Sequence, residues 1–323
     1  MFERVFKLSE HKTTVKTEVM AGITTFMTMA YILAVNPSVL GSTGMDTTAV
    51  LLATALASCL GTLCMAFMAN LPFALSAGMG LNAFMAYTVV AGYGYSWQVA
   101  LLAVFIEGLI FIVLSLTNIR EAIFNAIPLT LKKGVSVGIG LFIAFIGLQN
   151  SGLCVDSATL VGIISFPENF HTAGICALLT LIGLFFTAVF YTRKMKGAIL
   201  YGILLTWILG MLCQVTGLYV PTPDAGFYSL FPSWGMTDFS RLGLTFGQCF
   251  NVDFSAVGIV NFIVVIFSFL FVDIFDTLGT LIGVATKAKM LDKDGKLPGI
   301  KPALLADSIA TSAGAILGTS TTT

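Results

Sequence analysis

The chain has 323 residues, of which 57% are hydrophobic and 10% are charged. In soluble domains about a quarter of all residues are charged, so this composition excludes a soluble globular protein and indicates a polytopic membrane protein. The formal net charge is zero, and without a basic tract the sequence predicts no nucleic-acid partner.

Runs of about 20 apolar residues, the length that crosses a bilayer as a helix, recur along the chain. They predict nine spans, at about 18–40, 47–69, 72–91, 97–117, 131–150, 172–192, 197–217, 257–286 and 301–317. Residues 1–8 alternate apolar and charged side chains and predict a short helix lying on the inner membrane surface. The first apolar run lacks a small-residue cleavage site, so we interpret it as a span and not as a signal peptide.

The basic residues indicate the orientation of the spans, because cytoplasmic loops collect Lys and Arg. Fifteen of the sixteen lie before span 1 or between spans 4 and 5, 6 and 7, or 8 and 9. These are Arg4, Lys7, Lys12, Lys16, Arg120, Lys132, Lys133, Arg193, Lys194, Lys196, Lys287, Lys289, Lys293, Lys296 and Lys301. The exception is Arg241, in loop 218–256. The N-terminus is therefore predicted to be cytoplasmic.

Span 3 has helix-breaking residues in its first half. Its sequence, LPFALSAGMGLNAFMAYTVV, includes Pro72, Gly78 and Gly80; proline removes a backbone donor, and glycine costs about 1 kcal/mol relative to alanine in a helix. We therefore predict an extended stretch followed by a half-helix starting near Asn82, whose first N–H groups are offered to a polar ligand. The alternative is that these glycines only allow close helix packing.

Span 8 carries two carboxylates near its middle, each of which opposes membrane insertion by roughly 2.5–3.5 kcal/mol. Asp273, Asp276, Thr280 and Gly283 follow at steps of three and four, so they share one helix face. Asp276 is the stronger functional candidate because it lies nearer the polar residues that follow. Glu107 in span 4 is a third buried acid. For all three, the alternative is a structural carboxylate bonded to neighbouring polar groups.

The last six residues, GTSTTT, have the same small polar character as the start of span 3. Loop 218–256, rich in aromatic residues such as Trp234, separates span 1, which enters from the cytoplasm, from span 8, which enters from outside. This pattern predicts inverted repeats of seven spans with facing broken segments, the usual pointer to a transporter's substrate site. We expect the sequence to be a fragment that holds one repeat and the start of another.

Four stretches resemble the AzgA-like purine permeases of the nucleobase/ascorbate (nucleobase:cation symporter-2) transporter family. They are VMAGITTFMTMAYILAVNP, LPFALSAGMGLNAF, FVDIFDTLGTLIGV and GTSTTT. The resemblance implies an all-α fold of fourteen spans with spans 3 and 10 broken at mid-membrane. Spans 1–4 and 8–11 would form a core domain, and spans 5–7 and 12–14 a gate domain. In this chain these would be core residues 1–117 and 257–323, gate residues 118–217 and an extracytoplasmic loop 218–256.

The resemblance also assigns site residues. Asp276 matches the family's span-8 acid, which hydrogen-bonds the nucleobase edge, and Gly80 and Asn82 match its substrate positions in span 3. Either Phe26 or Phe84 would supply a slot for the flat ring. Further substrate contacts are expected at Thr322 and Thr323. The expected proton-coupling residues are Asp276, Asp273 and Glu107. The family's span-10 acid follows the threonine run and is not in this sequence.

The function implied is proton-coupled uptake of hypoxanthine, guanine or adenine by an elevator-like movement of core against gate. The alternative is another small solute on the same fold, such as uracil or xanthine. A membrane enzyme is disfavoured because the sequence has no nucleophile–His–acid set, no HExxH and no phosphate loop. A channel would require acidic rings that recur across subunits. The six cysteines lack metal-like spacing, so we expect neither metal nor cofactor.

The expected partners are the purine, a proton and membrane lipid. The sequence leaves the oligomeric state open, with a homodimer as one alternative. We expect a multi-pass protein of a cell membrane, specifically a bacterial inner membrane.

Overall fold

The computed structural model divides the chain into two compact units, one of Met1–Gly140 with Thr237–Thr323 and the other of Leu141–Met236. The structure describes residues 2–10, 13–117, 119–158, 160–195, 197–232, 235, 237–254, 257–292 and 297–323. Five residues used in the predictions lie outside these ranges. They are Lys12, Lys196, Trp234, Lys293 and Lys296.

The first unit is helical in its described part. Its α-helices are α1 (Phe2–Phe6), α2 (Val15–Met29), α3 (Ile32–Gly41), α4 (Thr47–Cys64), α5 (Met79–Ala83), α6 (Trp97–Leu116), α7 (Ile119–Ala126), the start of α8 (Leu129–Asn150), and, after the second unit, α11 (Ile259–Lys287) and α12 (Ile300–Leu317). Two π-helical segments, Met65–Ala69 and Phe84–Gly92, continue α4 and α5, and two short 3₁₀ turns lie at Phe239–Leu244 and Gln248–Phe250.

Three of these helices begin at residues that cap a helix N-terminus with a side-chain oxygen. Thr14 precedes α2, Asp46 precedes α4 and Ser96 precedes α6, and each accepts a hydrogen bond from a backbone N–H in the first turn. Asp46 also forms a 2.7 Å ion pair with Arg241, the basic residue predicted on the outer side of the membrane.

The predicted spans are confirmed as helices with one exception. Among the described residues, eight helical segments are long and apolar enough to cross a membrane, which supports a multi-pass membrane protein. The predicted span 3 instead begins with an extended stretch and contains only the shorter apolar helix Met79–Gly92. The expected half-helix is therefore present, but it begins at Met79 and not near Asn82. Span 1 is also interrupted, between α2 and α3.

Helix α12 lies at the centre of the first unit, where it packs against α4 and α6. Small residues bring these backbones together: a methyl group at Gly61 would lie 2.8 Å from the Ala310 Cβ, and one at Gly108 would lie 2.9 Å from the Ser312 amide nitrogen. Close approach through small residues is the usual way in which membrane helices associate. It lets α12 bury polar side chains between its neighbours.

The second unit contains two long helices, α9 (Ile175–Thr192) and α10 (Ala198–Val215). They pack through small residues, with Gly183 against Thr206 and Gly202 against Thr187. A π-helical turn (Phe170–Gly174) leads into α9, and a 3₁₀ turn (Pro223–Ala225) follows α10. Before α9, β1 (Cys154–Ser157) and β2 (Leu160–Ile163) form a short antiparallel hairpin, which the sequence analysis did not predict.

Candidate functional site

Two extended stretches of the first unit pair with each other. Residues 71–78, before α5, and residues 319–323, after α12, form an antiparallel bridge centred on Ala77 and Thr322. Its backbone hydrogen bonds run from Ser76 N to Thr323 O (3.2 Å), from Thr323 N to Ser76 O (2.9 Å) and from Gly78 N to Thr321 O (3.0 Å). The two segments that the sequence predicted to be broken thus face each other and satisfy each other's backbone groups.

Local sequence accounts for both breaks. Asn70 adopts the left-handed conformation (φ 51°) and ends the helix before the first stretch, and Pro72 follows it. Gly318, at φ 99°, ends α12 in the same way. A side chain at Gly318 would collide with Thr245, whose carbonyl carbon would lie 3.0 Å from the new Cβ. Glycine is therefore required at this position for two independent reasons.

Helix α5 starts beside the bridge, with Gly78 at its N-cap. The amide of Gly78 is bonded to the opposite stretch, but the amides of Met79, Gly80 and Leu81, in the first turn, have no acceptor within the helix. Gly80 is half-buried, so its backbone is accessible from one side. The start of α5 offers N–H donors and the positive end of a helix dipole to a polar ligand.

The Asp276 carboxylate lies against the same helix start. A methyl group at Gly78 would lie 2.9 Å from both the Asp276 Oδ2 and the Thr323 Oγ1, and the Thr323 hydroxyl donates to that carboxylate oxygen at 3.3 Å. Asp276 is half-buried. The structure therefore groups an acceptor (Asp276), a hydroxyl (Thr323) and first-turn amides that have no acceptor within their own helix, all contributed by segments far apart in sequence.

Asn82 has a partner that the sequence analysis did not identify. Its side-chain amide donates to the Asn36 Oδ1 at 2.5 Å, and the Asn36 amide donates in turn to Thr54 (2.7 Å) and Thr319 (2.9 Å). All of these side chains are buried. The ladder ties α5 to α3, α4 and the start of the second extended stretch. It leaves the Asn82 Oδ1 as a buried acceptor without a hydrogen-bond partner among the described residues.

The structure places the three other predicted substrate contacts as follows. The Thr322 hydroxyl points away from Asp276, because successive side chains of an extended stretch alternate. It points toward α12, where it would lie 2.9 Å from a methyl group at Gly314. Phe26 is 61% exposed and borders a cavity of about 560 Å³ between α2, α4 and the first extended stretch. Phe84 packs edge to face on Phe269, with ring centroids 5.0 Å apart.

Asp273 is part of a buried ion-pair cluster. Arg120, which the sequence analysis assigned to a cytoplasmic loop, is only 3% exposed. Its guanidinium lies 2.6 Å from Asp307 and 3.5 Å from Asp273. It also donates to Ser308 (2.6 Å) and to the Leu304 carbonyl (2.8 Å). Arg120 does lie between spans 4 and 5, as predicted, but on helix α7, which buries its side chain against α11 and α12.

Thr277 and Phe111 complete this cluster. The Thr277 hydroxyl lies 3.3 Å from Asp273 and 3.4 Å from Asp307, and the Phe111 ring centroid lies 4.0 Å from the Arg120 guanidinium carbon. Hydrogen bonds and an aromatic face thus surround the cation. Such packing is what a buried ion pair requires to offset its desolvation.

Glu107 is fully buried on α6, next to the close contact between α6 and α12. Neither of its carboxyl oxygens has a hydrogen-bond partner among the described residues. It interacts electrostatically with Asp273, Arg120 and Asp307, and the Thr321 side chain lies beside it. Glu107 therefore lies beside the second extended stretch at Thr321, two residues before the Thr323 that contacts Asp276.

The profile of the xanthine/uracil permease family, described as a permease family, matches residues 16–323. The chain belongs to this family. Adenine permease AdeP of Escherichia coli is 41% identical over 327 residues, which cover 100% of this chain and 68% of that protein. Guanine/hypoxanthine permeases PbuO and PbuG of Bacillus subtilis are 43% and 45% identical. Those two alignments cover 99% and 98% of this chain and 70% of each relative.

Sequence signals existed for the groups of this permease that were not predicted. Asn36 and Asp307 are polar residues inside apolar spans, where such residues almost always face the bundle interior. Asn36 lies within the motif VMAGITTFMTMAYILAVNP, and Asp307 lies in a span that also contains Ser308, Thr311 and Ser312. Arg120 carried no such signal, because a basic residue just after a span has the pattern of an ordinary cytoplasmic loop.

Proposed function

We propose that this permease takes up purine nucleobases, namely hypoxanthine, guanine or adenine, together with protons. The observation that carries the proposal is the grouping of Asp276, Thr323 and the first-turn amides of α5 around the paired extended stretches. The names of the related adenine and guanine/hypoxanthine permeases support the same substrate class.

The chemistry of a purine fits this group of atoms. A purine is flat and mostly neutral, with hydrogen-bond donors and acceptors around its rim. Asp276 would accept from a ring N–H, and the amide of Gly80 would donate to a ring nitrogen or carbonyl. The unpartnered Asn82 Oδ1 would accept from a second ring donor. We propose these three as the principal substrate contacts, with the Thr323 hydroxyl positioning the carboxylate.

For the movement, we propose the elevator arrangement implied by the family resemblance. Core residues 1–117 and 257–323 would slide against gate residues 118–217 and carry the substrate across. Helix α7 would move with the core, because its Arg120 is paired with Asp273 and Asp307. Protons would be coupled through the buried carboxylates Asp276, Asp273 and Glu107. We further propose a bacterial inner membrane with the N-terminus in the cytoplasm, because the basic residues lie on that side of the predicted spans.

Uptake of radiolabelled hypoxanthine by cells that express the full-length protein tests this proposal, with and without a protonophore. We expect saturable accumulation that the protonophore abolishes and that unlabelled adenine or guanine competes away. Competition only by uracil or xanthine would move the substrate class to the alternative. Uptake that does not saturate would contradict a permease mechanism altogether.

Asp276→Asn is the decisive variant in the same assay. The amide keeps the size of the side chain but loses a charge-assisted hydrogen bond worth about 1.5–3 kcal/mol, so affinity should fall by roughly ten- to a hundredfold. Asp276→Glu should retain partial uptake because the charge survives. Asp156→Asn is the matched control, since Asp156 is exposed in the hairpin of the second unit. Normal uptake by Asp276→Asn would show that Asp276 does not contact the substrate.

A further inference from the structure

The environment of Glu107 favours its neutral form. The side chain is fully buried, and neither oxygen is hydrogen-bonded within the described residues. Beside it, Gly108 lets α6 approach α12 so closely that a methyl group there would lie 2.9 Å from a backbone nitrogen. An isolated ionised carboxylate in such a place costs several kcal/mol or more, whereas a protonated one is uncharged.

Three charges face Glu107, and they do not all act in one direction. Asp273 on α11 and Asp307 on α12 disfavour its ionised form, whereas Arg120 on α7 favours it. Arg120 already pairs with both aspartates, so one positive charge stands against two negative charges. Ionising Glu107 would add a third negative charge to a site that has no second cation in the described part of the chain. The cluster as described here therefore favours the state in which one carboxyl group holds a proton.

Asp273 and Asp276 are less suited to hold that proton. Arg120 and the Thr277 hydroxyl both donate to Asp273, and these bonds partly offset the cost of burying its charge. Asp276 is half-buried beside the helix start that we assign to the substrate, where its carboxylate would accept the bond from a ring N–H. Asp307 is paired with Arg120 at 2.6 Å. Of the buried carboxyl groups in the described part of the chain, only Glu107 forms no hydrogen bond through either oxygen.

We propose that Glu107 carries the coupled proton, so that the permease holds its substrate and its proton on different residues. This inference rests on the proton coupling proposed above and assigns it to one group. On the outward-facing side Glu107 accepts a proton. On the inward-facing side the O–H bond breaks, the proton passes to cytoplasmic water and a carboxylate remains, for which Arg120 is the nearby cation.

Thr321 connects the two functions. Its side chain lies beside Glu107, while its carbonyl accepts the hydrogen bond from the Gly78 amide (3.0 Å). Two residues further on, Thr323 donates to Asp276. A carboxylate at Glu107 would attract the Thr321 hydroxyl and Arg120, and so pull on the stretch that shapes the substrate site. Proton release and substrate release would then favour each other.

The test uses the purified full-length protein in proteoliposomes and separates coupling from transport. Purine exchange, measured by counterflow without a pH gradient, reports substrate binding and movement. Purine accumulation driven by a gradient of one pH unit reports coupling. For one coupled proton, this gradient gives at most about tenfold accumulation of the purine. We expect Glu107→Gln to exchange purine within about threefold of wild type while its accumulation ratio falls to about one. Glu168→Gln, in an exposed loop, should match wild type in both assays.

Accumulation by Glu107→Gln with the ratio and pH dependence of wild type would overturn the inference and leave purine uptake intact. If wild type itself follows a sodium gradient and ignores the pH gradient, proton coupling fails and this inference fails with it. If Glu107→Gln does not fold, infrared spectroscopy of the folded wild type and of Glu107→Asp tests whether Glu107 is protonated. We expect a protonated-carboxyl band that persists in Asp276→Asn and shifts in Glu107→Asp; absence of that band would refute a protonated Glu107.

Discussion

Replacing Arg120 with methionine should destabilise the protein far more than a substitution at an exposed position of α7. Methionine preserves much of the apolar volume that lies against Phe111, but it leaves Asp273 and Asp307 buried together without a cation. Removing one partner of a buried ion pair costs about 3–5 kcal/mol, because the remaining charge stays desolvated. The donors to Ser308 and the Leu304 carbonyl are lost as well.

Thermal unfolding of the detergent-purified full-length protein measures this cost. At about 2 °C per kcal/mol for a large chain, Arg120→Met should lower the midpoint by roughly 6–10 °C. Arg241→Met is the matched control, because Arg241 forms a 2.7 Å ion pair with Asp46 but is half-exposed. Such surface pairs contribute about 0–1 kcal/mol, so the control should shift the midpoint by no more than about 2 °C.

The double variant Arg120→Met/Asp307→Asn isolates the charge. Neutralising Asp307 removes one of the two stranded carboxylates, so the double variant should be more stable than Arg120→Met by about 1–3 kcal/mol, a coupling typical of residues in one network. Equal losses for Arg120→Met and Arg241→Met, or no recovery in the double variant, would show that the buried cluster does not behave as an ion-pair network.

Three further substitutions test the geometry around the extended stretches. Gly78→Ala should lower purine uptake at least tenfold at normal expression, because the new methyl group would displace the Asp276 carboxylate; uptake kinetics measure this, and unchanged kinetics would mean that the helix start is not near the substrate. Asn36→Ala should cost about 1–3 kcal/mol of stability by leaving the buried Asn82 amide without its acceptor, seen as a lower unfolding midpoint. Gly318→Ala should cost at least about 1 kcal/mol, because alanine at φ 99° is strained, and wild-type stability would contradict the described helix end.

Much of the membrane architecture followed from local sequence. The positions of the spans could be predicted because bilayer thickness sets a length that any apolar run of about 20 residues reveals. The break in span 3 was also predictable, since Pro72 and the glycines near it disrupt a helix whatever surrounds them. The start of the half-helix was placed three residues too late, because the cap at Gly78 depends on a hydrogen bond to the opposite stretch.

The roles of the polar residues were less accessible. Asp273 and Asp276 stand three residues apart on one helix, and the sequence ranked them only by their immediate neighbours. In the structure they have different partners: Asp273 forms an ion pair with Arg120, and Asp276 accepts a hydrogen bond from Thr323. Asn82 was assigned from family resemblance, and its bond to Asn36 could not have been foreseen from either residue alone.

By itself, the sequence determined that this is a multi-pass membrane protein, where its spans lie, that span 3 is broken, and that Glu107, Asp273 and Asp276 stand inside spans. These properties depend on hydropathy, helix propensity and chain length, which act over a few neighbouring residues. Only the tertiary structure decided how each buried charge is compensated. The partners of Arg120 lie 153 and 187 residues away along the chain, and the requirement that a buried polar group find a partner sets no limit on where in the sequence that partner stands.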